Sequence, residues 1–365
     1  MHWSKMKSYC KNTTIARDDV LNALETWKDG ESGRKNAHRI VEEYGSEDAL
    51  VEEIHGQIRD RSLSFRPICR YEHVEPTNGK LRVIGVESVK QQVCDYLAVM
   101  LMDSLYSDKI GYYQVAAVKG KGQRACRTAL RRWVRYSKYH VKLDVRKCYP
   151  STRPSTAMRI YEKYVRSDDV LYLVSSLLST YGEGLEIGSY FALKTMQLVL
   201  SFGYHHVESL GHRRRGRWVP LVRHQIWHLD DMLLMSNCKR DLKMAVRSLS
   251  GFLHDELGLF VKPWKLKVVS ESEPLDIGGW VVRVGRGGRA RVTLRRGNFL
   301  RTCRAFTRFS KQSSLALARR CASRWGQLLH ADLRKAVVKR NIPMLFRRAR
   351  LIVSVHDKLM RLEQS

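Results

Sequence analysis

The stretch QIWHLDDMLLMS, residues 225–236, decides how this sequence folds. Two adjacent carboxylates, Asp230 and Asp231, separate two runs of mostly apolar residues. The apolar residues favour burial and the acids do not, so the pattern predicts a hairpin of two buried strands with the acids at its tip. An exposed surface turn would carry the same two letters, and the pattern alone leaves both interpretations open.

A third aspartate lies in another predicted strand, HVKLDV, residues 140–145. Aliphatic residues alternate there with Lys142 and Asp144, so at a period of two the carboxylate faces away from the packed side of the sheet. A hairpin beside this strand would place three carboxylates on one sheet face. Such a cluster repels itself, and a divalent cation relieves the repulsion.

Oxygen ligands of this kind suit Mg²⁺, which usually takes one or two carboxylates together with substrate phosphates and water. Two such ions can stabilise both the attacking and the leaving oxygen of a phosphoryl transfer. The three aspartates therefore predict a site for two Mg²⁺ ions, with Mn²⁺ as the alternative metal.

The charge of the chain indicates the kind of substrate. Sixty-six Lys and Arg residues against 36 Asp and Glu give a formal net charge of +30, which favours a polyanionic partner. No apolar run approaches the roughly 18 residues of a membrane span, so we expect no membrane partner. The eight cysteines are scattered without a C-x-x-C pair, which is typical of a cytoplasmic protein rather than a disulfide framework or zinc site.

Helical and strand patterns alternate along the chain and predict an α+β fold. Helices are predicted over residues 15–62 and in the Arg-rich last third, with a hairpin around the turn PTNG at 76–79. The stretch YHVKLDVRKCYPS predicts a strand that ends at Pro150.

Taken in chain order, these segments resemble the motifs of bacterial reverse transcriptases, over roughly residues 65–335. KLDVRKCYPS resembles the first palm motif, GLEIGSYFALKTMQLVLS the second, HLDDMLLMS the Y-x-D-D box and LDIGGWVV the primer-grip strand. GKLRVIGV and YYQVAAVKGKGQ resemble finger motifs, LGLFVKPWKLKVV a strand with a functional lysine, and SRWGQLLHADL a thumb helix. The similarity is to the diversity-generating-retroelement and phage-defence lineages.

The resemblance implies a right-hand polymerase fold. It would comprise an N-terminal helical extension over residues 1–64, fingers over 65–139, a palm over 140–284 and a basic helical thumb over 285–365. The palm would be an antiparallel sheet backed by helices.

The resemblance also implies roles for individual residues. Asp144, Asp230 and Asp231 would bind the two metal ions, and the backbone carbonyl of Val145 would be a further ligand. Tyr149 would be an aromatic steric gate that excludes the 2′-hydroxyl of a ribonucleotide. A core aromatic residue at a strand end is the alternative for this tyrosine.

Three basic residues are implied at the incoming nucleotide. Lys80 and Arg82, two apart on a finger strand, would bind the triphosphate of a dNTP, unless they form a solvated face of that strand. Lys265 matches the lysine that the family carries near the departing pyrophosphate, a candidate proton donor. Lys262 and Lys267 lie close enough in sequence to be alternatives for this role.

Two departures from the family pattern bear on how a template would be handled. The Ser-Gln pair that follows Gly188, a nucleotide-binding position of the second motif, is replaced by Ala192 and Leu193. The aromatic residue that opens the Y-x-D-D box is His228. We expect retained catalysis with altered handling of template or primer.

The resemblance implies an RNA-directed DNA polymerase that adds dNTPs to a 3′ end. Its partners would be a structured non-coding RNA, a template RNA and the DNA product, together with an accessory protein or a second copy of the chain. The altered second motif favours a role in anti-phage defence. The alternatives are a mutagenic enzyme of a diversity-generating retroelement, a template-independent or protein-primed DNA-synthesis enzyme, and a catalytically silent RNA-binding scaffold.

Three basic segments suggest contacts with nucleic acid. The Arg-rich residues 283–308 would contact the backbone of a duplex. KGKG at 119–122 lacks the spacing of a phosphate-binding loop and predicts a basic turn near the template strand. GHRRRGRW at 211–218 predicts a basic loop that either contacts a structured RNA or is simply solvated.

Overall fold

The computed structural model describes residues 8–75, 79–118, 120–270, 273–285 and 289–362. Helices predominate and the sheets are small, which confirms the α+β class. The helices are α1 (Arg17–Asp29), α2 (Glu31–Asn36), α3 (His38–Tyr44), α4 (Glu47–Arg59), α5 (Val89–Leu101), α6 (Asp103–Lys109), α7 (Gly122–Trp133), α8 (Cys148–Ser151), α9 (Pro154–Tyr164), α10 (Asp168–Ser179), α11 (Tyr190–Ser209), α12 (Lys239–Leu257), α13 (Arg296–Lys311), α14 (Leu315–Leu329), α15 (Arg334–Lys339) and α16 (Ile342–Leu362). The strands are β1 (Cys69–Val74), β2 (Leu81–Val86), β3 (Tyr139–Asp144), β4 (Gly211–Arg214), β5 (Arg217–Pro220), β6 (His224–His228), β7 (Asp231–Ser236), β8 (Leu266–Val268), β9 (Leu275–Ile277), β10 (Trp280–Val284) and β11 (Ala290–Leu294).

The chain divides into two compact units that interleave along the sequence. The first contains the described residues up to Gln114, Leu143–Pro220 and Met244–Pro263, and the second contains Val115–Lys142, Leu221–Lys243 and the described residues from Trp264 onward. The lobes expected from the sequence are consecutive instead, and their assignment as fingers, palm and thumb remains a prediction.

Helix α11 forms much of the core of the first unit. It is rich in apolar residues and most of its residues are buried, as expected of a helix largely enclosed by other elements. Its first turn is capped by Ser189, whose side chain accepts from the backbone N–H of Ala192. Asp95 of α5 adds a second cap, because its Oδ2 accepts from Ser189 Oγ at 2.7 Å and from the Phe191 N–H at 2.9 Å.

The hairpin predicted around PTNG is confirmed, since β1 and β2 pair antiparallel from Cys69↔Val86 to Val74↔Leu81. The turn residues Pro76, Thr77 and Asn78 themselves lie outside the described residues. The edge of β2 also binds the loop before α11, where the Gly85 N–H donates to the Ile187 carbonyl at 2.8 Å.

Four strands form the main sheet of the second unit, in the order β6-β7-β3-β8. Strand β3 continues from this unit into the first at Leu143. The central residues of β6 and all of β7 after Asp231 are buried. Strands β6 and β7 pair antiparallel and bring His228 opposite Asp231, which confirms the hairpin predicted over residues 225–236.

Strand β3 is shorter than predicted. It ends at Asp144 rather than at Pro150, and the chain turns at Lys147, whose φ of +46° is left-handed. A left-handed residue cannot continue a strand. The residues that follow form the single helical turn α8 instead.

The basic segment 211–218 is a β-hairpin and not the loop expected from its sequence. Its turn residues Arg215 and Gly216 have φ values of +50° and +76°. Two consecutive positive φ angles give the turn geometry that matches the twist of a two-stranded hairpin. The high arginine content concealed this turn in the sequence.

The C-terminal part of the second unit contains a three-stranded sheet, β11-β10-β9, and the helices α13 to α16. The basic helical region expected over residues 285–365 therefore contains a strand, β11, before its helices. Among the helices, α14 packs on α16 through Trp325 and Phe346, whose rings stack with centroids 4.6 Å apart. In the described part of the chain, none of the helices has the length and apolar character needed to cross a membrane.

Candidate active site

The two aspartates of the opening stretch lie at a strained hairpin tip in the second unit. Leu229 and Asp230 form a two-residue turn between the paired residues His228 and Asp231. Leu229 has a φ of +55°, a left-handed conformation that costs a non-glycine residue about 1 kcal/mol. The buried strands on both sides hold this conformation in place. Backbone strain of this kind is concentrated at functional sites.

Asp231 is held by two donors within the second unit. Lys142 Nζ lies 3.2 Å from its Oδ1, and the Gly278 N–H donates to its Oδ2 at 3.2 Å. The side chain is 22% exposed. Burial raises the pKa of Asp231 above its ordinary value, although Lys142, the Gly278 N–H and Arg295 act in the opposite direction. The effect of desolvation on the pKa of Asp231 is therefore larger than the opposing effect of its donors.

The backbone N–H that donates to Asp231 belongs to a turn of two glycines. Gly278 and Gly279 join β9 to β10 with φ values of +54° and +86°, and Ile277 pairs with Trp280 across the turn. Both positions need positive φ, which glycine adopts without strain. A Cβ at Gly278 would lie 3.4 Å from Cδ2 of His228, so the turn also contacts the histidine. The sequence IGGW signals this turn, but the stretch was expected to form one continuous strand.

Asp144 belongs to the first unit, where it binds Lys262 twice. Lys262 Nζ lies 2.7 Å from Oδ1 of Asp144, and the Lys262 N–H donates to the Asp144 carbonyl at 2.9 Å. The Asp144 side chain is 43% exposed and thus more open to solvent than Asp231. Each of these two carboxylates therefore has one ammonium partner within its own unit.

The backbone around Asp144 leaves the carbonyl of Val145 outside the local pairing. Val145 forms an antiparallel bridge with Val261, and the bonds of this bridge come from the flanking residues. The Arg146 N–H donates to the Phe260 carbonyl at 2.7 Å on one side, and Lys262 binds Asp144 on the other. In this bridge geometry the Val145 carbonyl points away from Val261, which leaves it oriented for another partner.

Of the three candidate lysines, Lys262 contacts a predicted catalytic carboxylate. Lys265 lies in the second unit and is exposed, and Lys267 pairs with Glu273 at 3.6 Å. The role expected of Lys265 remains a prediction, and Lys262 is the alternative that the geometry favours.

Tyr149 and Gly188 are both placed by the loop before α11, in the first unit. The Tyr149 carbonyl accepts from the Leu185 N–H at 3.0 Å, and its half-buried side chain belongs to α8. Gly188 has a φ of +121°, and a Cβ there would lie 2.4 Å from the Gly85 carbonyl oxygen. Only glycine permits this close approach between the loop and β2.

Lys80 and Arg82 lie on the same hairpin as Gly85. Arg82 of β2 pairs with His73 of β1, and its side chain lies 3.6 Å from the carboxylate of Glu75. The backbone N–H of Glu75 donates to the Lys80 carbonyl. Both basic residues keep solvent access, Lys80 more than Arg82. Arg82 lies in β2 and Lys80 directly precedes that strand, and a period of two along the chain would place both side chains on one face of the hairpin.

Two buried acids of the first unit, Asp95 and Glu87, are not predicted from the sequence. Asp95 is fully buried, and burial raises its pKa to about 6 against the hydrogen bonds from Phe191 and Ser189. Burial, together with the nearby Asp95, raises the pKa of Glu87 above its ordinary value. Asp95 is the single acid of α5, and Glu87 precedes that helix. Because Asp95 caps α11, it positions Gly188 indirectly.

The oxygen atoms of Asp144 and Asp231 are of the chemical type that binds hard divalent cations. Oδ1 of Asp144 and Oδ1 of Asp231 are both shielded from solvent, and each lies beside one ammonium group, that of Lys262 and that of Lys142 respectively. Carboxylate and carbonyl oxygens are the ligands that Mg²⁺ prefers. Within residues 8–75, 79–118, 120–270, 273–285 and 289–362, no three His, Cys, Asp or Glu side chains form a metal-binding group.

Comparison with models of known protein families finds no match, and comparison with curated protein sequences finds no significant match.

Proposed function

We propose that this protein is an RNA-directed DNA polymerase that adds dNTPs to a 3′ end within a right-hand polymerase fold. The observation that carries the proposal is the strained tip of the β6–β7 hairpin. It presents Asp230 and Asp231 between two buried strands and fastens Asp231 to the Gly278 N–H and Lys142. A surface turn would need neither the buried strands nor these two donors.

Asp144, Asp230, Asp231 and the carbonyl of Val145 would hold Mg²⁺. Bound Mg²⁺ lowers the pKa of a coordinated hydroxyl and offsets negative charge on phosphate oxygens. The protein's own contribution is to position these ligands. The Gly278 N–H orients Asp231, and Lys262 orients Asp144 through both its backbone and its side chain.

The residues proposed at the incoming nucleotide all belong to the first unit. Lys80 and Arg82 would bind the triphosphate of a dNTP, and Gly188 packs on the same β1–β2 hairpin. Tyr149 would contact the sugar and exclude a 2′-hydroxyl. Replacing Tyr149 with Ala should then admit ribonucleotides, and unchanged sugar selectivity would count against this role.

The proposed partner is a structured non-coding RNA, with anti-phage defence as the proposed context. The net charge of +30 supports a nucleic-acid partner because cationic side chains bind phosphates regardless of base sequence. The RNA that co-purifies with the protein can be sequenced directly, which would identify the partner and the context together.

Untemplated or protein-primed synthesis is a second candidate, and one observation favours it. Ala192 is fully buried and Leu193 is half-buried, so these two positions carry no polar side chain where the enzymes that the sequence resembles carry Ser and Gln. Product sequencing separates the two candidates. Templated cDNA would match an RNA, whereas a homopolymer or simple repeat would support untemplated synthesis.

The activity itself is tested by incorporation of labelled dNTPs with Mg²⁺ and the co-purifying RNA. Asp230→Ala should abolish incorporation, because an aspartate of the metal site would be lost. Asp29→Asn is the matched control, since Asp29 is exposed at the end of α1 and its loss changes the net charge equally. Equal incorporation by wild type and Asp230→Ala would refute the proposal.

A further inference from the structure

The exposed face of the β10–β11 hairpin borders two adjoining cavities in the second unit. Their volumes are about 680 and about 300 Å³, and Arg283, Arg291 and Leu333 line both of them. We call the pair the β10–β11 trough. Its larger end is basic, and its smaller end is largely apolar, with Val281 and Phe299 in its wall. The cations of the larger end are Arg131, Arg283, Arg289, Arg291, Arg334 and Lys335.

The single acid of the basic end is already bound. Asp332 pairs with Arg131, lies 3.8 Å from Arg127, and accepts from the Val292 N–H at 2.8 Å. Burial opposes these contacts, but together they lower the pKa of Asp332 below its ordinary value. In the part of the chain that the structure describes, no carboxylate pairs with the side chains of the other cations that line the trough. The lining therefore carries a large uncompensated positive charge.

The strand register places two of these cations directly opposite each other. Arg283 pairs with Arg291 across β10 and β11, and both are exposed. Like charges at such a cross-strand position destabilise a sheet. The neighbouring pair Val282 and Val292 is buried on the other face, so the hairpin would fold with any polar residues at the arginine positions. An anion bound between the two guanidinium groups would remove the repulsion.

The apolar end lies on the same face of the same hairpin. Val281 pairs with Thr293 two residues along each strand from the arginine pair, and the ring of Phe299 lines the same cavity. The Arg340 guanidinium lies 5.6 Å from the centroid of this ring. The trough thus offers a cationic end and, beside it, a flat apolar end.

We infer that the β10–β11 trough binds an unpaired nucleotide of an RNA strand. Its phosphates would bind the arginine end, where guanidinium forks match phosphate oxygens, and its base would enter the apolar end. A base in a duplex is stacked and paired and cannot enter such a recess. The inference rests on the part of the proposed function that gives the chain an RNA partner, and it does not depend on catalysis.

The test is binding of the full chain to a fluorescein-labelled 12-nucleotide oligouridine, without divalent metal, at several salt concentrations. The double variant Arg283→Gln/Arg291→Gln should bind at least tenfold more weakly. The slope of log affinity against log salt should fall by about 1.4, for two lost phosphate contacts on a single strand. Its Tm should not fall, because the change removes a like-charge pair.

The matched control is Arg240→Gln/Arg247→Gln on α12, which loses the same two charges at exposed positions. Affinity for the oligouridine should change less than twofold. Equal weakening in both double variants would show that only net charge matters and would overturn the inference.

A third variant tests the apolar end. Phe299→Leu keeps the position apolar but removes the ring, and it should weaken oligouridine binding severalfold while leaving binding to a 12-base-pair RNA duplex unchanged. Equal effects on both RNAs would overturn the assignment of an unpaired base. Binding by Asp230→Ala separates this inference from the proposed function, because that variant should bind oligouridine normally even though it cannot incorporate dNTPs.

Discussion

The tip of the β6–β7 hairpin and the β10–β11 trough lie in the same compact unit and treat charge in opposite ways. At the tip, Asp231 is matched by Lys142 and by the Gly278 N–H. In the trough, Arg283 lies opposite Arg291, and the acid Asp332 is already bound. One region holds a carboxylate against donors of the fold, and the other leaves several arginines without a carboxylate partner among the described residues.

This difference suggests that the hairpin tip positions a carboxylate, whereas the trough binds a ligand. A carboxylate that must be held in one orientation needs donors within the fold, and its desolvation costs stability. Cations that bind a mobile polyanion need no partner in the fold, and their repulsion is relieved only by the ligand. Variants that remove one member of each arrangement should therefore affect different measurements.

The largest effect is expected at the lysine that contacts Asp144. Lys262→Ala should lower the rate of dNTP incorporation about a hundredfold, the usual contribution of one proton donor. Lys265→Ala should have little effect, because in the described part of the chain Asp144 pairs with Lys262. Single-turnover kinetics on a primed template measure both rates.

The conservative variant Lys262→Arg distinguishes a proton donor from a partner of Asp144. Arginine keeps the positive charge beside Asp144 but is a much poorer proton donor than an amine. Lys262→Arg should therefore be folded like the wild type, and its rate of dNTP incorporation should stay as low as that of Lys262→Ala. Full activity of Lys262→Arg would show that Lys262 only pairs with Asp144 and donates no proton. A larger loss of rate in Lys265→Ala than in Lys262→Ala would return the role of proton donor to Lys265.

The next effect concerns the acid of the trough. Asp332→Ala should lower the free energy of unfolding by about 2 kcal/mol, because the Val292 N–H and Arg131 lose their acceptor. Asp332→Asn keeps an acceptor for Val292 and should lose less. Urea denaturation of the two variants measures the difference, and an Ala variant as stable as wild type would show that this acid does not hold β11.

A smaller effect with a defined pH dependence is expected at Asp231. Its raised pKa means that the folded state binds the proton more tightly than the unfolded state, so its contribution to stability is lost as the pH rises above the ordinary value of 3.8. Asp231→Asn should therefore raise Tm by a few degrees at pH 7 and give less advantage as the pH falls toward 4. Thermal melts across this range, with Asp29→Asn as control, measure it. A Tm difference that does not vary with pH would contradict the assignment.

The smallest effect is expected at the hairpin turn. Leu229→Gly relieves the left-handed strain at a φ of +55° and should raise stability by less than about 1 kcal/mol. The rate of dNTP incorporation should fall in the same variant if the rigid turn positions Asp230 and Asp231. A stabilised variant with unchanged activity would separate the strain from the proposed chemistry.

Much of the candidate site could be predicted from the sequence because its signals are local. The period of two in HVKLDV and the two apolar runs around Asp230 and Asp231 depend only on neighbouring residues, and the hairpin followed from them. The partners of these acids could not be predicted. Lys142 and Gly278 are 89 and 47 residues from Asp231 in sequence, and no local pattern encodes such contacts.

By itself, the sequence determined the α+β class, the hairpin that carries the aspartate pair and the strongly basic character of the chain. Each of these follows from composition or from the spacing of residues that are close in sequence. Only the tertiary structure decided that Lys262 contacts Asp144, that a glycine turn binds Asp231, and that Arg283 opposes Arg291 above an apolar recess. The first two contacts join segments that are distant in sequence, and the third depends on the register of the β10–β11 hairpin, so packing and strand register decide all three.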